Sequence, residues 1–234
     1  MIDWHSHILP QMDDGSASVD ESIDLFAIMI GQGVDTVIAT PHFYANNESV
    51  DSFLERRAKS YGQFSEGLLG MIPKVLLGAE VSYYPGISRL EGLSRLCIEG
   101  TDLLLLEMPF ARWSKSVVRE VIEIATQRSV TVILAHIERY IDMQSGRVFD
   151  ELREYGVLMQ VNASFFLRAS TRRHACRLLS SGKIHLIGSD THNTKLRPPM
   201  LDEAYTVITK KFGEDFADEV DEFGRFLLFK ICKQ

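Results

Sequence analysis

The chain is poor in cysteine. Cys97, Cys176 and Cys232 are the three thiols among 234 residues, odd in number, widely separated and without paired spacing. That pattern supports neither a disulfide framework nor a thiolate zinc site. Positive charge is also short: 25 Lys and Arg stand against 32 Asp and Glu, a formal net charge of −7. No basic run is long enough to track a nucleic-acid backbone, so nucleic acid is excluded as a partner. The apolar runs are strand-sized, far below the ~20 residues of a membrane-spanning helix. No basic segment followed by an apolar one opens the sequence. The expectation is a soluble, cytoplasmic protein that is not membrane-embedded. Linkers, repeats and low-complexity segments are missing too, so residues 1–234 are read as one domain, a size that α/β barrels reach as a single unit.

What the sequence does have is a 45% apolar content, enough for an ordinary core, and an unusual place for its polar residues. Almost every apolar run ends on a histidine or a carboxylate. Residues 2–4 lead into His5-Ser6-His7, residues 36–40 into Pro41-His42, and residues 74–79 into Glu80. Residues 103–106 end at Glu107, 131–135 at His136, and 184–189 at Asp190-Thr191-His192. One such event is noise; six of them look like ligands gathered at one rim of a closed parallel sheet, where barrel folds build their sites.

Strands are expected at 2–5, 36–40, 74–79, 103–106, 131–135, 157–161 and 184–189. Helices are expected between them: one behind a Ser18–Glu21 capping box, a charged one over roughly 51–69, and others near 87–96, 116–128, 147–155 and 171–181. Gly156 and Gly182 fall where a left-handed helix cap is wanted. Two more helical stretches, near 200–212 and 214–230, close the chain. Alternation of strand and helix argues parallel pairing, and seven such units suggest a barrel one unit short of eight.

His5 and His7 are two apart, so an extended strand aims both imidazoles to one side. Glu80 and Glu107 close very apolar runs, where a buried carboxylate needs a partner or a metal. Asp190 and His192 repeat the two-apart spacing. Asp13-Asp14-Gly15 also fits ordinary turn chemistry. Arg139, three residues after His136, has the fork that grips two phosphate oxygens at once, although an ion pair with Glu138 or a neighbouring carboxylate would also account for it. His174, among arginines, and His185, within its strand, read as structural.

The ordered segments HSHILPQMDDG, TPH, GAE, LLLLEMPF, AHIERY and GSDTHN, running from Met1 to about residue 210, resemble the polymerase and histidinol phosphatase (PHP) superfamily. Within it they are most similar to the manganese-dependent protein-tyrosine phosphatases of capsular and exopolysaccharide synthesis. The resemblance implies a distorted (β/α)7 TIM-like barrel with its active site at the C-terminal strand ends and three metal ions. It puts His5, His7, Glu80 and Asp190 on the first ion, Glu80, Glu107 and His136 on the second, and Asp14, His42 and His192 on the third. Arg139 matches the phosphate-binding arginine, and His42 and His136 join it as catalytic positions. Residues 219–234 depart from the family pattern.

The same resemblance implies metal-assisted hydrolysis of phosphotyrosine, on the tail of a bacterial tyrosine autokinase. Three divalent ions, four ligand carboxylates and a hydroxide leave a small positive excess, which a phosphomonoester dianion together with Arg139 comes close to neutralising. Oxygen and imidazole donors without thiolate favour Mn2+, with Zn2+, Fe or Co2+ as alternatives. A cysteine-based tyrosine phosphatase would need an arginine six residues after its thiol. Cys97 has Leu103 there, Cys176 has Gly182, and Cys232 has no room. An amidohydrolase-type hydrolase, which usually offers a lysine at strand four, fits less well, and a histidinol-phosphatase type of small-molecule phosphomonoesterase stays open. Phe43, Tyr44, Phe110 to Trp113, Phe165 and Phe166 are the candidates for an aromatic rim.

Overall fold

The computed structural model describes residues 1–127 and 129–231, and of residues 230 and 231 the backbone alone; Cys232 lies outside the described residues. Nine parallel strand segments carry the fold: β1 (Ile2–Ser6), β2 (Thr36–Ala39), β3 (His42–Phe43), β4 (Lys74–Leu77), β5 (Glu80–Ser82), β6 (Leu103–Glu107), β7 (Thr131–Leu134), β8 (Leu158–Asn162) and β9 (Leu186–Gly188). They order as β1-β2-β4 and β3-β5-β6-β7-β8-β9. The two sheets are one. Thr40 N donates to Ser6 O, Gly78 N to Ala39 O and Glu80 N to Pro41 O, at 2.8 to 3.0 Å, so β2 runs on into β3 and β4 into β5.

The interruptions have a local cause. Pro41 has no N–H to give to a ladder, and a Cβ on Gly78 would stand 3.3 Å from Ile98 and 3.4 Å from Thr40. Beyond the breaks His42 pairs directly with Glu80. Seven continuous strands therefore match the seven expected. The ring closes where Asp190 N donates to His5 O at 2.7 Å and His7 N to Thr191 O at 2.9 Å.

Ile2, Trp4, Ile38, Ile98, Leu103, Leu105, Ile133, Ala135 and Leu186 form one buried cluster that draws on most strands, which makes it the barrel interior. A second, larger cluster lies between the strands and the helices outside. The β1–β2 register shifts between Asp3 and Ser6. One extra residue in β1 lets Ile2 and Trp4 fill the interior while His5 and His7, of opposite parity to them, still turn to the same side.

Helices α1 (Val19–Gly31), α4 (Lys115–Gln127), α5 (Gly146–Glu154), α7 (Ala169–Ser180), α8 (Leu201–Phe212) and α9 (Glu214–Ile231) fall where the sequence puts them. Ser18 Oγ accepts from Glu21 N at 3.1 Å, and the Glu21 carboxylate accepts from Ala17 N at 2.8 Å. Gly156 and Gly182 adopt φ of +80° and +65° at the ends of α5 and α7.

Two helical expectations are corrected. The charged segment 51–69 divides into α2 (Val50–Tyr61) and the single turn α3 (Glu66–Leu69), with the α2 cap at Gly62. The segment 87–96 holds two short 3-10 turns, Ile87–Arg89 and Leu93–Leu96, because Gly92 takes φ +79° between them. A short α6 (Ser164–Leu167) precedes α7.

The divergent C-terminus forms a regular helix. α9 lies across the N-terminal end of the barrel: Asp221 accepts from Ile2 N at 2.9 Å, Leu228 joins the interior cluster, and a Cβ on Gly224 would approach Trp4 Nε1 to 2.7 Å. With the bottom sealed, the open end is the C-terminal rim.

Candidate metal centre

Every strand but β8 delivers a donor to that rim. His5 and His7 come from the end of β1, His42 from β3, Glu80 from β5, Glu107 from β6, His136 from the residue after the loop exit of β7, and Asp190 and His192 from just past β9. Asp14 joins them from the loop after β1. All nine predicted donors converge. His5 Nε2 and His7 Nε2 stand 3.1 Å apart, and Glu80 Oε2 lies 3.2 and 3.3 Å from them. The Asp190 Oδ1 atom is 3.7 and 3.6 Å from the same two nitrogens. On the other side of Glu80, Oε1 reaches His136 Nε2 at 2.7 Å, and Glu107 Oε1 is 3.5 Å from that nitrogen. His42 Nε2 and His192 Nε2 face Asp14 Oδ1 at 3.5 and 3.3 Å.

Three overlapping groups of donor atoms, each within 4.8 Å, follow from this geometry: His7, Asp14, His42 and His192; His5, His7 and Asp190; His42, Glu80 and Glu107. Glu80 sits between them. Its carboxylate touches four imidazoles, those of His5, His7, His42 and His136.

The backbone bends to make this possible. His136 and Asp190 both adopt left-handed conformations, with φ of +31° and +54°, a conformation that L residues seldom adopt. Gly15 is needed for the turn behind His7, because a Cβ there would stand 2.2 Å from His7 O. Gly188 lets β9 close onto β1, since its Cβ would fall 2.6 Å from His5 Cβ.

A set of polar residues outside the donors fixes their orientation. Asp13 Oδ2 takes a hydrogen bond from His7 Nδ1 at 2.7 Å and from His42 N at 2.8 Å. Holding His7 by Nδ1 leaves Nε2 as the ligand atom. Gln160 Oε1 accepts from His136 N at 2.6 Å and faces His5 Nδ1 at 3.5 Å. Gln160 donates to Asn162, which donates to Asp190 Oδ2 at 2.7 Å. Arg139 and Arg197 both pair with Asp190 Oδ2, at 2.7 and 2.6 Å. Sequence reasoning left Asp13 open between turn chemistry and the site and passed over Gln160, Asn162 and Arg197, which no motif or spacing singles out. Arg139 pairs with Asp190 and lies 3.9 Å from Glu107, so the ion pair with a neighbouring carboxylate that the sequence allowed is made, to Asp190 rather than to Glu138.

The donor chemistry fits cations. His5, His7, Glu80, His136, Asp190 and His192 are all at most 3% exposed, and so many ionisable groups out of water are costly without opposite charge among them. His42 Nδ1 and His192 Nε2 are buried with no hydrogen-bond partner; carboxylate oxygens lie within 3.0 and 3.3 Å but at angles that make no hydrogen bond. Burial resists charge on His7, yet the Asp13 and Glu80 carboxylates outweigh it and raise its pKa to about 10. His136 is likewise raised to about 9 against its burial, by Glu107 and Glu80. Glu80 is held well below the carboxylate range, its burial overcome by His5, His136 and His42. His192 goes the other way: burial and the nearby His7 and Arg197 charges push it down to about 4. Its Nδ1 faces the Asp190 carbonyl oxygen at 3.0 Å, which leaves Nε2 as the ligand atom.

The aromatic rim is smaller than the sequence suggests. Tyr44 and Phe110 are exposed, and the Tyr44 ring lies tilted against that of His42, centroids 5.3 Å apart. Phe43, Trp113 and Phe166 are instead buried in the packing, and Phe165, also buried, lines a cavity beside Asp190. His185 immediately precedes β9 rather than lying in it, and its Nδ1 accepts from Met159 N at 2.9 Å. His174 packs on Phe165. Both are structural, and Cys97 and Cys176 are buried free thiols away from the rim.

A parallel barrel carrying a histidine–carboxylate cluster at its C-terminal rim is the architecture of polynuclear metal enzymes. The chain belongs to the CpsB/CapC family of capsular polysaccharide synthesis, whose model matches residues 1–222. It is 27% identical over 232 residues to the tyrosine-protein phosphatase CpsB of Streptococcus agalactiae, covering 94% of each chain. With the tyrosine-protein phosphatase YwqE of Bacillus subtilis it shares 29% over 235 residues, 97% of this chain and 91% of that one. Crystal structures of YwqE from Bacillus subtilis and CpsB from Streptococcus pneumoniae, metal-dependent tyrosine phosphatases, superpose with TM-score 0.78 at 26% identity, covering 97% of this chain and 94% of theirs. A histidinol phosphate phosphatase from Lactococcus lactis shares the fold, with TM-score 0.58 at 13% identity over 90% of this chain and 93% of its own.

Proposed function

We propose that this chain is a metal-dependent protein-tyrosine phosphatase acting on the phosphotyrosine-containing tail of a tyrosine autokinase in capsular or exopolysaccharide synthesis. The observation that carries the reading is Glu80, buried between four imidazoles with a further carboxylate on each flank, an arrangement suited to bridging cations. Three ions are assigned: one to His5, His7, Glu80 and Asp190, one to Glu80, Glu107 and His136, and one to Asp14, His42 and His192. Mn2+ suits these oxygen and imidazole donors best, with Zn2+, Fe or Co2+ as alternatives. Bound divalent ions of this kind supply a water of pKa lowered toward ~7 and offset charge on phosphoryl oxygens.

The side chains do the rest. Arg139 stands beside Asp190 with its Nη1 3.9 Å from Glu107, placed to turn its fork onto a phosphoryl oxygen pair. Asp13 and Gln160 hold the imidazoles in register, so no reorganisation is needed when charge develops. Tyr44, beside His42 at the rim, offers an aromatic surface to an aryl leaving group. The reading treats residues 1–234 as one domain working in the cytoplasm, where the kinase tail would be presented; among the described residues no helix is long and apolar enough to cross a membrane.

The test compares kcat/KM for a phosphotyrosine peptide, a phosphoserine peptide and histidinol phosphate under one Mn2+ concentration. A clear preference for phosphotyrosine is expected. A higher value for histidinol phosphate would move the chain to small-molecule phosphomonoesterase chemistry at the same centre.

A further inference from the structure

Beside the donor cluster, where the ends of β7, β8 and β9 meet α6, a cavity of about 300 Å3 opens next to Asp190, within the range of small-ligand sites. Three arginines line it, Arg139, Arg168 and Arg197, in a protein whose net charge is −7. Two of them are committed to Asp190. Arg168 is not. It stands at the junction of α6 and α7 with its backbone fixed: its N donates to Ser164 O, and its O accepts from Thr171 N and Arg172 N. Its side chain is exposed and, among the described residues, has no carboxylate partner.

Glu138 lines the same cavity. Its Oε1 accepts from Asn162 N at 3.2 Å, while its Oε2 is buried and has no hydrogen-bond partner. That oxygen is closed off by the packing around it, so the cavity presents its arginines and an apolar wall. Phe165, Leu196 and Met200 give the cavity an apolar wall. A free inorganic anion would use the arginine and leave the wall idle. A peptide uses both, through an anionic side chain and an apolar contact.

We propose that this cavity is a peptide subsite for the residue neighbouring the phosphotyrosine, in which Arg168 pairs with an anionic side chain, a carboxylate or a second phosphate, beside the apolar wall of Phe165, Leu196 and Met200. The inference rests on the phosphotyrosine-peptide reading above. It makes Arg168 a specificity-determining residue outside the metal cluster.

The test uses the Mn2+-loaded enzyme and three phosphotyrosine peptides identical except at the residues flanking the phosphotyrosine, which are Gln, Glu or phosphoserine. Tyrosine dephosphorylation is followed by absorbance, and p-nitrophenyl phosphate serves as a substrate with no flank. The wild type should favour the Glu and phosphoserine peptides over the Gln peptide by about tenfold in kcat/KM, the size of one charge-assisted hydrogen bond. Preference for the phosphoserine peptide alone would identify phosphate as the anion and equally support the subsite. Arg168→Glu should erase the preference while leaving p-nitrophenyl phosphate turnover unchanged. Equal rates on all three peptides, or a preference that survives Arg168→Glu, would overturn the subsite. Failure of the wild type on every phosphotyrosine peptide would instead sink the phosphatase reading.

Discussion

Asp13 holds His7 by a 2.7 Å hydrogen bond to Nδ1 and braces His42 through its backbone N–H at 2.8 Å, so one carboxylate outside the donor set fixes two members of it. Partners of this kind commonly change metal affinity by ~10–100-fold when removed. Asp13→Ala should therefore weaken metal binding by that order, with turnover recovering at saturating Mn2+. Calorimetric titration of the chelated protein reads the affinity directly; an unchanged value would make Asp13 a turn residue and nothing more.

Arg139 and His136 should separate cleanly although only two residues lie between them. His136→Ala removes a donor next to Glu80 and is expected to lower bound metal along with activity. Arg139→Ala should keep its metal and lose ~10²–10³-fold in turnover, as when one transition-state donor is deleted. Metal analysis paired with kcat measurement distinguishes the two. Near wild-type turnover in Arg139→Ala would assign the phosphate grip to another cation, with Arg197, on the same Asp190 oxygen, the first to examine.

The imidazoles give the metal-free protein a pH signature. His7 and His136 are raised from 6.5 to about 10 and about 9. A raised imidazole contributes its stability fully below the unfolded value and loses it as pH climbs through the folded one. The chelated protein should thus lose stability between pH 6.5 and about 10, while cation binding, which needs neutral imidazole, strengthens over the same window. The gap in Tm between Mn2+-loaded and chelated protein is expected to widen with pH. A constant gap across that window would contradict the assignment of these histidines as donors.

Much of this was legible in the sequence because ligands of a barrel rim follow their strands. The two-residue spacing of His5 and His7 and the carboxylates closing the apolar runs before Glu80 and Glu107 carry the signal in linear order. Gln160 and Asn162 carry none. They sit within β8, where alternation reads as one more buried strand, and only the closed ring brings them under His5, His136 and Asp190. The strand breaks at Pro41 and Gly78 were hidden for a similar reason, since each segment looks continuous until its neighbour's register is known. Helical pattern misled at 87–96, where apolar spacing outvoted Gly92. Burial decided the aromatic rim, and periodicity alone does not say that Phe43 faces the core while Tyr44 faces out.

The central claim is that chemistry at this rim runs on bound cations and on no thiol. Phosphate release from a phosphotyrosine peptide, measured before chelation, after exhaustive chelation and after Mn2+ is returned, tests it most directly. The account predicts loss on chelation, recovery with Mn2+, and the same behaviour in a Cys97→Ala variant. Full turnover in the chelated protein would contradict it.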